Sequence, residues 1–319
     1  MPSRTQRHWE HRIGRQVQLR DLHILLTVAQ CGSMVRAAHQ LSMSQPAVSK
    51  AIGTLEYTLG VRLLDRTSQG VEPTRYGLAL LRRGAAAFDE LRQGVGEIEY
   101  LSEQGVGEVR IGYGEPLAIT LVTAVVTALV SQHPRLIFEL RQANTIALDF
   151  RDLRDRKVDL MLGRVPVPFK EEDLNAETIL WQYVVVVAGA QSPWIRRRKL
   201  KLADLVDEKW ILLPPEMPES EWMASAFRLQ GLTPPRARVT TLSLQMRAAL
   251  LERGDFLSAF PPDLVSRYPS IKALPIDLGL QPRPIGIVTL KNRTLSPAAE
   301  LFISQMRTAA KASMSPNGS

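Results

Sequence analysis

The chain has 319 residues, of which 45% are hydrophobic and 23% are charged, a composition that excludes a disordered chain and predicts two or three folded domains. The net charge of +8 is uneven, because residues 1–93 hold 13 Lys and Arg against 7 Asp and Glu, whereas residues 94–319 hold 27 against 25. The excess positive charge therefore belongs to the first third, as expected for a segment that meets a polyanion.

Several features concern the compartment of the protein. A single cysteine, Cys31, excludes an internal disulfide and predicts a reducing compartment. The N-terminus is charged throughout, so no signal peptide is predicted. The longest uncharged run, residues 116–134, has an apolar centre of only about 14 residues, short of the roughly 20 that span a bilayer. We expect a cytoplasmic protein without a membrane partner.

The first predicted elements are three short helices that follow a tail at residues 1–18. Apolar residues at helical spacing predict the first helix: Leu19, Leu22, Leu25, Leu26 and Ala29. Ser33 is a suitable N-cap for the second helix, which ends near Leu41. Ser44 caps the third helix, and Pro46 lies in its first turn, where a missing N–H has no cost.

The third helix has two contrasting faces. Aliphatic residues recur on the inner face: Val48, Ile52, Leu55 and Leu59. The opposite face carries small and polar residues: Gln45, Ser49, Lys50 and Gly53. A face of this kind can enter the major groove of DNA, where its side chains donate to and accept from base edges and phosphates. Taken alone, the pattern also fits an ordinary solvated helix face.

The segment from Gly60 to Gly77 predicts two short strands joined by a glycine-containing turn, followed by the N-cap Thr74. Such a β-hairpin after a helix-turn-helix is a wing. Three arginines in or beside it are placed to reach phosphates: Arg62, Arg66 and Arg75. We therefore predict a DNA-binding domain over residues 19–77.

A long helix is predicted over residues 74–101. Its apolar residues recur at spacings of three and four, as in the seam of a coiled coil: Leu81, Phe88, Leu91, Val95 and Ile98. Gly77 and Gly84 interrupt this seam. Because helix-turn-helix proteins commonly bind two-fold sites as dimers, the seam predicts a homodimer or homotetramer. Packing of the seam against its own domain is the alternative.

After a polar linker at residues 102–107, strands and helices alternate over residues 108–319, which predicts parallel sheets covered by helices. The pattern restarts after Pro193, so we predict two α/β subdomains with a cleft between them. The first is placed at about 108–188 together with 283–319, and the second at about 189–282.

The residues from Leu22 to Gly77, including the stretch SQPAVSK, closely resemble the winged helix-turn-helix of LysR-type transcriptional regulators. The downstream layout is similar too, with a linker helix and two α/β subdomains that resemble a type 2 periplasmic binding protein. The resemblance therefore implies an N-terminal winged helix-turn-helix followed by an α/β effector-binding domain.

The resemblance implies DNA contacts from the following residues: Ser33, Ser44, Gln45, Pro46, Ser49, Lys50 and Arg66. The sequence departs from the family at two positions in the wing. Leu64 stands where an aromatic residue is frequent, and Gln69 stands where a basic residue is common.

The family places a small-molecule effector in the cleft, and strand-to-helix loops are where open α/β sheets bind ligands. The candidates on these loops are Tyr113, Gly114, Glu115, Asn144, Thr145, Arg164, Pro214 and Phe260. Arg164 suits a carboxylate, and Glu115 could accept from hydroxyls. Together they indicate a sugar or sugar acid, with an aromatic carboxylate stacked on Tyr113 as the alternative. Pairing of Arg164 and Glu115 with their neighbours, without ligand contact, also stays open.

An enzyme is not predicted, because the sequence contains no G-x-S-x-G, P-loop or H-E-x-x-H motif and no histidine after His133. No metal or cofactor is predicted. The predicted function is a sequence-specific transcriptional regulator that binds a double-stranded DNA operator, responds to an effector and contacts RNA polymerase. A sequence-neutral, architectural DNA-binding protein is the alternative, although it would not need a cleft-bearing α/β region.

Overall fold

The computed structural model describes residues 16–67, 70–143 and 149–314. Most of the predicted tail, Gln69 of the wing and the candidates Asn144 and Thr145 lie outside these ranges. The chain forms two compact units, residues 1–92 and residues 93–319.

The first unit begins with three helices, α1 (Leu19–Cys31), α2 (Met34–Gln40) and α3 (Gln45–Leu59). The predicted caps are confirmed, because Ser33 Oγ accepts from the Arg36 N–H and Ser44 Oγ accepts from the Ala47 N–H, each at 3.4 Å. The aliphatic inner face of α3 is buried, and it packs with residues of α1 and α2 in one core.

The wing follows as the antiparallel strands β1 (Leu64–Thr67) and β2 (Gly70–Pro73). The carboxylate of Glu56 joins α3 to β1, because its Oε1 accepts from the Leu63 N–H at 2.7 Å and from the Leu64 N–H at 3.2 Å. Gly70 has a φ of +140°, and a Cβ there would lie 2.3 Å from the carbonyl oxygen of Gly32. Glycine is therefore required where the wing meets the turn before α2.

The long helix α4 (Arg75–Ser102) matches the predicted linker helix. Thr74 caps it as predicted, because Thr74 Oγ1 accepts from the Gly77 N–H at 3.1 Å. In its first half, Leu81 packs against the helix-turn-helix core, and Gly84 lies beside Leu22 and Leu26 of α1. This part of α4 belongs to the fold of the first unit.

The second unit alternates strands and helices as predicted. Its main elements are, in chain order, β3 (Gly107–Tyr113), α5 (Thr123–Gln132), β4 (Leu136–Gln142), β5 (Leu160–Arg164), β6 (Leu174–Gln182), β7 (Val185–Gly189), β8 (Lys209–Leu212), α6 (Pro218–Leu229), β9 (Ala237–Thr240), α7 (Leu244–Arg253), β10 (Phe256–Phe260), β11 (Ile271–Ala273), β12 (Arg283–Leu290) and α8 (Pro297–Met314).

The strands form two sheets and therefore two lobes. The first lobe has the strand order β4-β3-β5-β12-β6, and the second has the order β11-β7-β10-β8-β9. Since β7 pairs in the second sheet, the chain first crosses between the lobes at residues 183–184, not at 188 as predicted. It returns through residues 274–282 to β12.

The sheets are mixed, which corrects the prediction of parallel sheets. In the first lobe, β3 runs parallel to β4 and β5, but β12 runs antiparallel to β5 and β6. In the second lobe, β10 runs parallel to β8 and antiparallel to β7. The antiparallel strands are those that carry the chain from one lobe to the other.

The apolar segment around α5 is helical over Glu115–Gln132, with a π-helical turn at Ala118–Val122. By length and composition alone, this segment could span a membrane. Five of its residues are buried in the core of the first lobe: Leu117, Leu121, Val122, Val125 and Leu129. The segment is therefore accounted for as a core helix of a folded domain.

A buried carboxylate holds the first lobe together. Asp159, just before β5, accepts from the backbone N–H of Arg110 and from its Nη2, each at 2.8 Å, and from Arg293 Nη2 at 2.5 Å. Burial alone would raise the pKa of Asp159, but Arg110 and Arg293 outweigh it and hold this pKa below its ordinary value of 3.8. The ionised Asp159 therefore stabilises the folded state fully above pH 3.8, and this contribution is lost as the pH falls through its lower pKa in the folded protein.

We expect the substitution Asp159→Asn to lower the free energy of unfolding by about 3–5 kcal/mol, because it leaves buried guanidinium groups without their counter-charge. Glu177→Gln is the matched control, since Glu177 pairs with Arg307 at an exposed site, where the loss should be about 0–1 kcal/mol. Urea denaturation of both variants would measure the difference. Equal losses would contradict the role given to Asp159.

Candidate functional site

The outer face of α3 has the geometry that a groove-binding helix requires. Gln45, Pro46 and Lys50 are exposed, Ser49 is half-buried, and no atom lies within 4 Å of a Cβ built on Gly53. Nothing bulky on this face precedes Tyr57, whose side chain is 90% exposed near the end of the helix. Tyr57 extends the same face but was not among the predicted contacts.

The wing lies beside the start of α2. The Val71 N–H donates to the carbonyl of Gly32 at 3.0 Å, which places β2 next to Ser33, the N-cap of α2. Arg62 and Arg66 are exposed, and the guanidinium of the exposed Arg75 lies over the ring of Tyr76. Leu64 is buried in the core, where it takes the place of the more frequent aromatic residue.

The predicted seam on α4 divides into two parts. Leu81 packs in the core of the first unit, and the ring of the half-buried Phe88 lies 5.7 Å from that of His23. These two side chains therefore pack against their own domain, which was the alternative to a coiled-coil seam. Further along, Leu91, Val95 and Ile98 are 51–65% exposed. The exposed part of the predicted seam is therefore in the second half of the helix.

A cavity of about 100 Å³ lies between the two lobes of the second unit. The ends of five strands reach it: Arg164 ends β5, Gln182 ends β6, Leu212 ends β8, Gly114 follows β3 and Pro261 follows β10. Its wall also includes the beginning of α6, part of α7 and Val184, which lies where the chain crosses between the lobes. The cavity therefore lies at the strand-to-helix loops, where the sequence predicted a cleft.

Arg164 forms an ion pair across the cavity with Glu219, in the first turn of α6, and both side chains are almost fully buried. The guanidinium of Arg164 also lies 5.2 Å from the ring centre of Trp222, and that of Arg283 lies 4.7 Å from it. Burial lowers the pKa of Arg164 to about 10 despite the attraction of Glu219, and burial raises the pKa of Glu219. For both partners, the cost of burial exceeds the gain from pairing.

A second cation, Arg247, lies on the wall of the same cavity and is only 7% exposed. Its guanidinium is 5.0 Å from the ring centre of Phe260, and its Nη1 donates to the Ala259 carbonyl at 3.4 Å. Burial lowers the pKa of Arg247 to about 10, although the charge of Glu115 opposes this. The Glu115 Oε2 itself accepts from the Leu244 N–H at 3.0 Å, at the beginning of α7.

The predicted effector residues fall into three groups. Gly114 and Arg164 line the cavity. Three others do not: Tyr113 packs against the core of the first lobe, Pro214 lies just beyond the wall residue Leu213, and Phe260 is fully buried. Glu115 caps α7 and is therefore engaged within the protein, and Asn144 and Thr145 lie outside the described residues.

Most residues of the cavity wall were not predicted, among them Glu219, Trp222 and Arg247. A signal for two of them existed, because each charge occupies a position in an otherwise apolar helical stripe. Arg247 shares the buried face of α7 with Leu244, Ala248 and Leu251, at spacings of three and four. Glu219 is placed in the same way relative to Trp222, Met223 and Ala226 on α6.

In the part of the chain that the structure describes, no group of three or more His, Cys, Asp or Glu side chains could hold a metal ion.

A winged helix-turn-helix joined by a long helix to two α/β lobes around a charged cleft defines a DNA-binding protein with a ligand-binding domain. Residues 19–78 match the model of the bacterial regulatory helix-turn-helix proteins of the LysR family, and residues 102–311 match that of the LysR substrate-binding domain. The chain therefore belongs to the LysR family of transcriptional regulators, with a helix-turn-helix and an effector-binding domain.

Individual proteins are similar along almost the whole chain. The transcriptional regulator GbpR of Azospirillum brasilense is 30% identical over 317 residues, 98% of this chain and 92% of its own length. The crystal structure of CbnR, a LysR family regulator, shares the fold at a TM-score of 0.65 and 22% identity, covering 92% of this chain and 99% of that one. A structure of full-length CbnR complexed with its target DNA has a TM-score of 0.54 and 22% identity, covering 92% and 100%.

Proposed function

We propose that the protein is a sequence-specific regulator whose recognition helix is α3. The observation that carries this proposal is the exposed face of α3, small and polar beside the arginines of the wing. Gln45 and Ser49 read base edges, whereas Lys50 and Arg66 bind phosphates. Ser33, Ser44 and Pro46 lie at the beginnings of helices, where N–H groups approach the DNA backbone.

The protein acts as a homodimer or homotetramer through the second half of α4. Three exposed apolar side chains on this half support the proposal: Leu91, Val95 and Ile98. Burying them between two copies would remove apolar surface from water. Leu81 and Phe88 contribute indirectly, since they fix the helix to the DNA-binding domain that it would present to the DNA.

The cleft of the second unit binds a small-molecule effector that tunes operator binding or activation. Its position between two lobes joined by two crossing segments, and its buried cations, support this part of the proposal. The expected ligand is a sugar or sugar acid, with an aromatic carboxylate as the alternative. A cytoplasmic location, contact with RNA polymerase and the absence of catalysis complete the proposed function.

Sequencing the DNA that is recovered with the protein from its native genome, followed by footprinting, tests the regulator function. Discrete protected sites are expected. Diffuse coverage of the genome would instead indicate an architectural DNA-binding protein.

We expect Gln45→Ala and Ser49→Ala each to weaken operator binding by about 1–3 kcal/mol while leaving binding to random DNA almost unchanged, because base contacts carry the sequence information. Gln104→Ala, an exposed glutamine in the second unit, is the control. Electrophoretic mobility shifts with both DNAs would measure the effect. An equal loss on the two DNAs would make these residues positioning contacts.

We expect Leu91→Glu to weaken self-association, since a charge would be buried without a partner between two copies of α4. Leu229→Glu, at an exposed leucine at the end of α6, is the matched control and should leave assembly unchanged. Sedimentation velocity at several concentrations measures both. Unaltered assembly of the Leu91→Glu protein would show that this face of α4 is not the interface.

A further inference from the structure

The cavity between the lobes holds charged side chains with unused hydrogen-bonding capacity. Glu219 Oε1 is engaged by Arg164 Nε, and no hydrogen-bond partner is found among the described residues for Arg164 Nη1, Glu219 Oε2 or Arg247 Nε. Glu219 and Arg247 are each only 7% exposed, and all three residues line the cavity. Because buried polar groups are nearly always satisfied in folded proteins, these atoms indicate what a bound molecule has to supply.

The pair Arg164–Glu219 presents both signs of charge to the cavity. Glu219 Oε2 offers an unused acceptor, and Arg164 Nη1 offers an unused donor. A hydroxyl group donates and accepts at once, so hydroxyls on neighbouring carbons match this pair. A carboxylate placed here would only accept, and it would lie against the negative charge of Glu219. This part of the wall therefore favours hydroxyl groups over an acid.

The surroundings of Arg247 are different. The carboxylate of Glu115, which attracts Arg247, is engaged by the Leu244 N–H, and the long hydrogen bond of Arg247 goes to an uncharged carbonyl. A guanidinium binds a carboxylate through two parallel hydrogen bonds, which a neutral ligand cannot replace. This part of the wall therefore favours an anionic group.

We propose that the cavity binds a polyhydroxylated carboxylic acid, a sugar acid, whose carboxylate is held by Arg247 and whose hydroxyls bridge Glu219 and Arg164. The inference rests on the proposed effector function and chooses among its ligand classes. An aromatic carboxylate would leave Glu219 Oε2 and Arg164 Nη1 without hydroxyl partners, and a neutral sugar would bring no negative charge to Arg247, whose neighbour Glu115 is already engaged by the Leu244 N–H. The roles suggested by the sequence are thereby reassigned: Arg247 replaces Arg164 as the acid-binding residue, and Glu219 replaces Glu115 as the hydroxyl acceptor.

Calorimetric titration of the full-length protein tests the proposal with matched probes. D-glucuronate and D-galacturonate are each compared with the neutral parent sugar, D-glucose or D-galactose, and with benzoate as a hydroxyl-free acid. At least one uronate should bind roughly tenfold or more tightly than both its parent sugar and benzoate, since a charged hydrogen bond is lost with either probe.

Substitutions in the cavity wall test which side chain binds the carboxylate and which binds the hydroxyl groups. Arg247→Met should abolish the preference for the uronate over its parent sugar, whereas Arg247→Lys, which keeps the charge, should retain it with weaker binding. Glu219→Gln should weaken binding of the uronate and leave the affinity for benzoate unchanged. Glu221→Gln is the matched control, because Glu221 lies two residues further along α6 in an exposed pair with Arg228. Circular dichroism melting of each variant verifies that it is folded.

The proposal is overturned if neither uronate binds, or if the parent sugar or benzoate binds as tightly as the uronate. It is also overturned if Glu219→Gln and Glu221→Gln change the affinity for the uronate equally. Footprinting of the same preparations separates this failure from failure of the regulator function. Discrete protected sites together with a failed ligand pattern reject only the sugar acid, whereas diffuse coverage rejects the sequence-specific regulator.

Discussion

The buried carboxylate of Asp159 receives hydrogen bonds from parts of the chain that are far apart in sequence. Arg110 belongs to β3, Arg293 follows β12, and Gln93 Nε2, in α4, donates to it at 3.5 Å. Asp159 thereby fixes where β5 begins, and the five residues of β5 end at Arg164 in the cavity wall. Asp159 and the cavity wall are thus connected by a single strand, with the buried carboxylate at one end and Arg164 at the other.

The helix-turn-helix could be predicted almost completely, because its determinants are local. Ser33 and Ser44 cap helices through N–H groups three residues further on, and the inner face of α3 follows the helical period. The contact between Gly70 and Gly32 could not be predicted from local patterns. Nothing in either glycine's neighbourhood indicates that the two backbones meet, since they are separated by all of α2 and α3.

The location of the cleft could be predicted from the sequence, but the contacts within it could not. Arg164 was found because it follows a strand, but its partner Glu219 comes from the other lobe, and no spacing in the sequence relates the two. The antiparallel direction of β12 was not predicted for a similar reason, because it depends on how the chain returns to the first lobe after forming the second. Arg247 carried a readable signal, because a charge within an apolar helical stripe indicates a buried cation.

The helix α4 contributes to both units, since its first half packs with the helix-turn-helix and Gln93 in its second half is bonded to Asp159. Sharing of one helix has a thermodynamic consequence. If an effector changes the DNA affinity through this helix, bound DNA must change the effector affinity by the same factor. An operator would therefore act as a ligand in its own right, and the concentration of effector at which the protein responds would differ between free and DNA-bound molecules.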